Sequence, residues 1–131
     1  MAPDFKTGEI WLVYFKNITP PKPKFAVHIQ GNSFLFINTK QDANGYSIRI
    51  TKSEYKFLSH DSHIGCNQIF DCDESEVFDA KRKCALSNQT IDQITRMIPN
   101  VKMLSKLHQN MILDAFKLAD RQAKLSMMRK D

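Results

Sequence analysis

The sequence predicts a mainly β protein with C-terminal helices, a small barrel followed by an appended helical segment. Short aromatic and β-branched runs recur through the first two-thirds of the chain, the first being Glu9-Ile10-Trp11-Leu12-Val13-Tyr14-Phe15. Gly and Pro turn signals separate these runs. From Ser87 onward the apolar period becomes helical, with Ile91, Ile94 and Ile98 on one face.

The run from Glu9 to Phe15 is apolar at both parities, as a central strand requires. Residues 17–24 carry three prolines, which cannot donate to a ladder, so a loop is expected there. Phe25–Ile29 and Ser33–Asn38 flank the turn signal Gly31-Asn32 and read as a hairpin. After Asn44-Gly45, Tyr46–Ile50 alternates like a half-exposed strand. Ser53 is expected to cap one helical turn through Leu58, residues 60–63 to form a polar loop, and Cys66–Phe70 a strand. Five acids between Asp71 and Asp79 suggest an exposed, mobile stretch.

Ser87 is placed to cap the first main helix, which Pro99 breaks, and Asn100 is expected to cap the next. In that last helix Leu104, Leu107, Met111, Ala115 and Leu118 form the expected packing stripe, with Ile112, Phe116 and Ala119 beside it. Lys124–Asp131 is expected to fray.

At 131 residues the chain has room for one core without staples. No apolar run approaches the ~20 residues of a membrane span. Residues 1–6 lack the basic-then-apolar pattern of a signal peptide, so a cytoplasmic location is expected. Cys66, Cys72 and Cys84 match neither a CxxC pair nor a zinc knuckle and read as free thiols. Net charge is +5, and residues 101–131 hold seven bases against three acids, a weak sign of polyanion contact.

Lys16, Lys22 and Lys24 flank the proline loop. A basic loop over a barrel mouth can hold phosphates, and Trp11, Tyr14 or Phe15 could offer a stacking face. His28, inside a strand, reads as partly buried and hydrogen-bonded, and His108 as surface or stripe edge. His60-Asp61-Ser62-His63 has the composition of a catalytic set, but such sets are recognised by geometry, and a turn with local backbone bonds is the expectation. No metal and no cofactor are expected, and Walker, GxSxG and GxGxxG motifs are absent.

The order of these features resembles the PemK/MazF toxin family. Gly8-Glu9-Ile10-Trp11-Leu12-Val13 is similar to its opening G-D/E-I-W-x-V strand. Lys24-Phe25-Ala26-Val27-His28-Ile29 stands where the family has R-P-A-V-V-I, and Phe36-Ile37-Asn38-Thr39 resembles the strand ending in a functional Thr. Ser62-His63-Ile64 with Asn67-Gln68-Ile69 is similar to S-x-V-x-V-D-Q-I, and Arg82–Ser87 to the R-x-x-G-x-L-S lead-in to a helix.

The resemblance, over Gly8 to Ile98, implies an SH3-like small β-barrel of PemK/MazF type in residues 1–98. Residues 99–131 would be an appended helix packing on the barrel or a partner. It implies a metal-independent endoribonuclease, the toxin of a toxin–antitoxin pair, which cuts single-stranded RNA through 2′-OH attack. The partners it implies are the RNA, a protein antitoxin and a second copy in a homodimer, with no membrane. By position, Lys24 and Thr39 would be catalytic, and Lys16, Lys22, Trp11, His28, Ser62 and Gln68 would bind RNA. Lys24 stands in place of the family's Arg, keeping a charge but losing the planar fork that suits phosphate. The alternative is therefore a catalytically degenerate barrel that binds nucleic acid or protein. A separate reading, hydrolysis by His60, Asp61 and His63, needs those side chains to converge.

Overall fold

The computed structural model describes residues 3–128. Seven strands run in chain order as β1 Glu9–Phe15, β2 Lys22–Gln30, β3 Ser33–Asn38, β4 Ser47–Ile50, β5 Ser62–Gly65, β6 Phe70–Asp71 and β7 Lys81–Ala85. Three helices accompany them, α1 Glu74–Val77, α2 Asn88–Met97 and α3 Lys106–Met128, with a 3₁₀ turn at Ile98–Asn100. The strands form one curled antiparallel half-barrel in the order β4-β5-β3-β2-β1-β7. Off that path, β6 pairs with the start of β3, while β5 pairs with its end.

Residue alternation gives this sheet two different faces. The first carries Ile10, Val27, Ile29, Leu35, Ile37, Ile48, Ile50 and Ile64, all buried beneath Ile94 of α2, Ile98, and Ile112 and Phe116 of α3. The second carries Trp11, Val13, Phe15, Ala26, Phe34 and Phe36, covered by Cys72 and by Val77 of α1, with Phe5 packed alongside. Fully burying each such aliphatic or aromatic side chain contributes roughly 1.5–3 kcal/mol, so both faces stabilise the sheet. Gly8, at φ +86°, leads the chain into β1 with its carbonyl accepting from Leu86 N at 2.8 Å. A Cβ there would meet Phe116 at 3.4 Å, so α3 packs directly over this turn.

Several elements differ from the sequence expectation. The proline loop is shorter than expected, because β2 begins at Lys22 and takes in Pro23 and Lys24. This end of β2 pairs with β1, whereas its registered pairing with β3 starts only at Ala26. Pro23 is therefore tolerated where one flank needs no donor. No helix forms over 53–58: Thr51, not Ser53, organises successive turns by accepting at its side chain and carbonyl from Glu54 and Tyr55. The strand expected at Cys66–Phe70 lies earlier, as β5, and only Phe70 of that span enters a strand.

The acidic stretch is folded, not a loose segment. Asp73 caps α1 by accepting from Ser75 N at 2.9 Å, and Val77 is buried. Ser87 caps α2 as expected, accepting from Thr90 N at 3.2 Å. Asn100, however, donates back to Arg96 O, and Ser105 caps α3 through His108 N at 3.1 Å. Because α3 starts only at Lys106, its buried face is Gln109, Ile112, Ala115 and Phe116. Leu104 and Ala115 of the expected stripe are buried, as are Ile112 and Phe116 beside it. Leu107, however, is 76% exposed and Leu118 is exposed too, so the packed face is rotated toward that flank. The helix persists through Met128 where fraying was expected, and Arg129–Asp131 lie outside the described residues. Among the described residues, no helix is long and apolar enough to cross a membrane.

Candidate nucleic-acid interface

The second face is apolar over β1, β2 and the first half of β3, then turns polar. Ala26 pairs with Phe36, so two residues further along, Lys24 and Asn38 share that face and meet: Lys24 Nζ donates to Asn38 Oδ1 at 2.7 Å. Asn38 pairs in turn with His63 of β5, and His63 with Arg49 of β4. Lys24, Asn38, His63 and Arg49 thus form one row across four adjacent strands. With strands ~4.8 Å apart, the row is ~14 Å long. Gly65, two residues beyond His63, is buried, and a Cβ there would meet Asn38 Nδ2 at 3.3 Å, so the Asn38 amide packs closely against its backbone.

Lys24 is half-buried, and its ammonium lies 5.1 Å from the centre of the Phe36 ring. Burial, and then the charge of Lys22, lower its pKa from the ordinary lysine value. Phe36 is covered by the half-buried Phe70, stacked on it in parallel at 3.7 Å. At the far end Arg49 pairs with Asp61 at 2.6 Å, and Asp61 also accepts from Lys52 N at 2.9 Å.

Of the residues expected at the site, Lys24 lies on this row, and exposed Thr39 follows Asn38 directly at the end of β3. Lys22 is exposed at the start of β2, and Gln68 is exposed between β5 and β6. Lys16 is held by Asp73 at 3.2 Å. Ser75 first, and then Lys16, hold the Asp73 carboxyl down to about 2.

Three expected RNA contacts are not on an accessible surface. Trp11 is 7% exposed, beneath Phe5, with its indole N–H donating to Glu9 Oε1 at 3.2 Å. His28 is 4% exposed between Phe5 and Phe34, and its Nε2 bonds Gly31 O at 2.9 Å. Burial lowers its pKa from the usual histidine value. Ser62 has the parity opposite to His63, so it is buried on the first face, where its hydroxyl donates to His60 O at 3.1 Å.

The same alternation separates the residues of the 60–63 segment: His63 joins the row, while exposed His60 bonds Ser59 Oγ. Asn38, His63 and Arg49 were absent from the expected RNA site. The signal that could have found them is the alternation of β4 and β5, Ser-Ile-Arg-Ile against Ser-His-Ile-Gly. Cys66 and Cys72 are free buried thiols whose pKa values burial pushes up to about 12 and about 11, and Cys84 is a free, half-buried third. Among the described residues, no three His, Cys, Asp or Glu side chains gather to hold a metal ion. No protein-family model matches the chain, and none of the curated proteins matches it.

Proposed function

We propose that the chain is an SH3-like small barrel of PemK/MazF type that binds single-stranded RNA along the Lys24–Arg49 row and cleaves it without a metal ion. The observation that carries this reading is the row itself, half-buried at Lys24, Asn38 and His63, exposed at Arg49, and with a basic side chain at each end. Its ~14 Å length exceeds several times the ~3.4 Å axial rise per nucleotide of a stacked strand, so it can meet more than one phosphate. Phe70 supplies the stacking face that Trp11 does not, and Lys22 adds charge at the entrance.

In the proposed reaction the ribose 2′-oxygen attacks the adjacent phosphorus and the bond to the 5′-oxygen breaks. The Lys24 ammonium steadies the charge that grows on the phosphate, and Asn38 fixes its direction. Thr39, at the end of β3, orients the phosphate by its hydroxyl. As the toxin of a pair, the chain would meet a protein antitoxin over the same row.

A second reading, binding without cleavage, is favoured by Arg49, whose charge is already matched by Asp61 at 2.6 Å. Digestion of single-stranded RNA by nuclease-free protein in EDTA decides between them. Cleavage is expected to persist in EDTA and to fall ~10²–10³-fold in Lys24→Ala, the usual effect of losing one charge-stabilising donor. Intact RNA with salt-sensitive binding would select the second reading. Cleavage unchanged in both Lys24→Ala and Thr39→Ala would overturn the site.

A further inference from the structure

We infer that His63 is the proton-transferring catalytic residue of this row, taking the proton of the attacking 2′-OH. The inference rests on the RNA-cleavage reading and adds the group that reading lacks. A 2′-OH attack needs charge stabilisation on the phosphate and, separately, an acceptor for the 2′ proton. Lys24 and Asn38 meet only the first need. The ammonium is a donor, and the Asn38 oxygen already accepts from it at 2.7 Å.

The remaining members of the row narrow the choice. Arg49 is a permanent cation with no acceptor, and Asp61, the nearest acid on the β4–β5 side, already accepts from Arg49 and Lys52 N. Thr39 is a hydroxyl, a weak base without a partner to activate it. His63 is half-buried and lies in the middle of the row, paired with Asn38 on one side and Arg49 on the other. A neutral imidazole offers an acceptor nitrogen that no other member of the row has free, which suits it to this task.

The step balances without a co-reactant. The 2′-oxygen forms a bond to phosphorus as its proton passes to an imidazole nitrogen of His63. The bond from phosphorus to the 5′-oxygen then breaks, and that oxygen leaves with a proton from water. The products are a 2′,3′-cyclic phosphate, a free 5′-hydroxyl and protonated His63, which returns its proton to solvent. The charged groups facing this ring are Arg49 of β4, Asp61 just before β5 and, across β3, Lys24 of β2.

The test uses the full chain with a fluorescent single-stranded RNA, measuring cleavage and fluorescence anisotropy side by side. His63→Gln is expected to lose ~10²–10⁴-fold in cleavage rate, the usual contribution of a general base, while RNA affinity stays within a few-fold. The acid limb of the wild-type pH–rate profile should vanish in that variant. In His63→Gly, added imidazole should restore cleavage, which a merely structural role would not allow. His60→Gln, whose ring bonds Ser59 off the row, should cleave like wild type.

Cleavage by His63→Gln at the wild-type rate would overturn the role of His63 and leave the RNA-cleavage reading intact. Lost cleavage in His63→Gly without imidazole rescue would likewise overturn the role. Wild-type protein that binds RNA but never cuts it would overturn both.

Discussion

Glu9 ties three parts of the molecule together, and removing its carboxylate tests that arrangement independently of any activity. Its Oε1 accepts from Lys6 N at 2.9 Å and from Trp11 Nε1 at 3.2 Å, while Oε2 accepts from Arg82 Nε at 2.6 Å. It therefore joins the N-terminal lead-in, β1 and the edge strand β7. Glu9→Ala strands the indole N–H of buried Trp11 and the main-chain N–H of exposed Lys6, at ~1–3 kcal/mol for each donor left unmade. Arg82 is 49% exposed at its side chain, so its loss adds only ~0–1 kcal/mol. The expected total is about 2–5 kcal/mol, with Lys6 at the low end because water can reach it. Glu9→Gln keeps an acceptor for Trp11 and should cost about 1 kcal/mol less than Glu9→Ala, or better.

Burial pushes the Glu9 carboxyl up, but the bonds from Arg82, Lys6 and Trp11 outweigh it and hold the pKa below the ordinary value. A lowered folded-state pKa contributes stability above the unfolded value, ~4.3, and that stability disappears as pH falls through the folded value. The gap between wild type and Glu9→Gln should therefore be full at pH ~7 and close below pH ~4. Urea unfolding followed by fluorescence reads this directly, because Trp11 is the sole tryptophan of the chain. A Glu9→Ala cost under ~0.5 kcal/mol, or equal costs for Ala and Gln, would refute the network.

Two further perturbations test other parts of the fold. In α3, Ile112→Ala and Phe116→Ala should each cost ~2–5 kcal/mol in urea unfolding, while Leu107→Ala should stay within ~0.5 kcal/mol; the reverse ranking would show the helix to be rotated. His28, buried with a lowered pKa, favours the neutral ring in the folded state, so its contribution is present above the unfolded value, ~6.5, and lost as pH falls below it. Thermal unfolding between pH 5 and 7 should show a slope toward higher stability with rising pH that His28→Gln flattens, and parallel curves would exclude the effect.

The elements legible in the sequence were those whose local chemistry agrees with their tertiary place. β1 and β3 lie where the apolar runs put them, and Ser87 caps α2 because the cap is a local bond. β5 was hidden because one of its faces is the polar row, so Ser62 and His63 read as loop. β7 was hidden for a related reason: Lys81, Arg82 and Lys83 are the charges an edge strand carries against further pairing. The phase of α3 went astray at Gln109, a buried polar residue whose amide donates to Val101 O and Leu104 O. Lys24 and Thr39 could be named from order along the chain. Asn38, His63 and Arg49 were missed, because they meet through β3–β5–β4 pairings at which only the alternation of β4 and β5 hints.

The shared ladder of β4 and β5 also constrains how distant relatives of this chain can be aligned. Ile48, Ile50 and Ile64 fill the helix-covered core, while Arg49 and His63 alternate with them on the opposite side. A slip of one residue would exchange the two sets, burying charge and exposing isoleucine. Gaps should therefore fall in the turns between Thr51 and Asp61 and not inside Ser47–Ile50 or Ser62–Gly65. Substitutions inside those two strands should keep their parity even where residue identity has drifted.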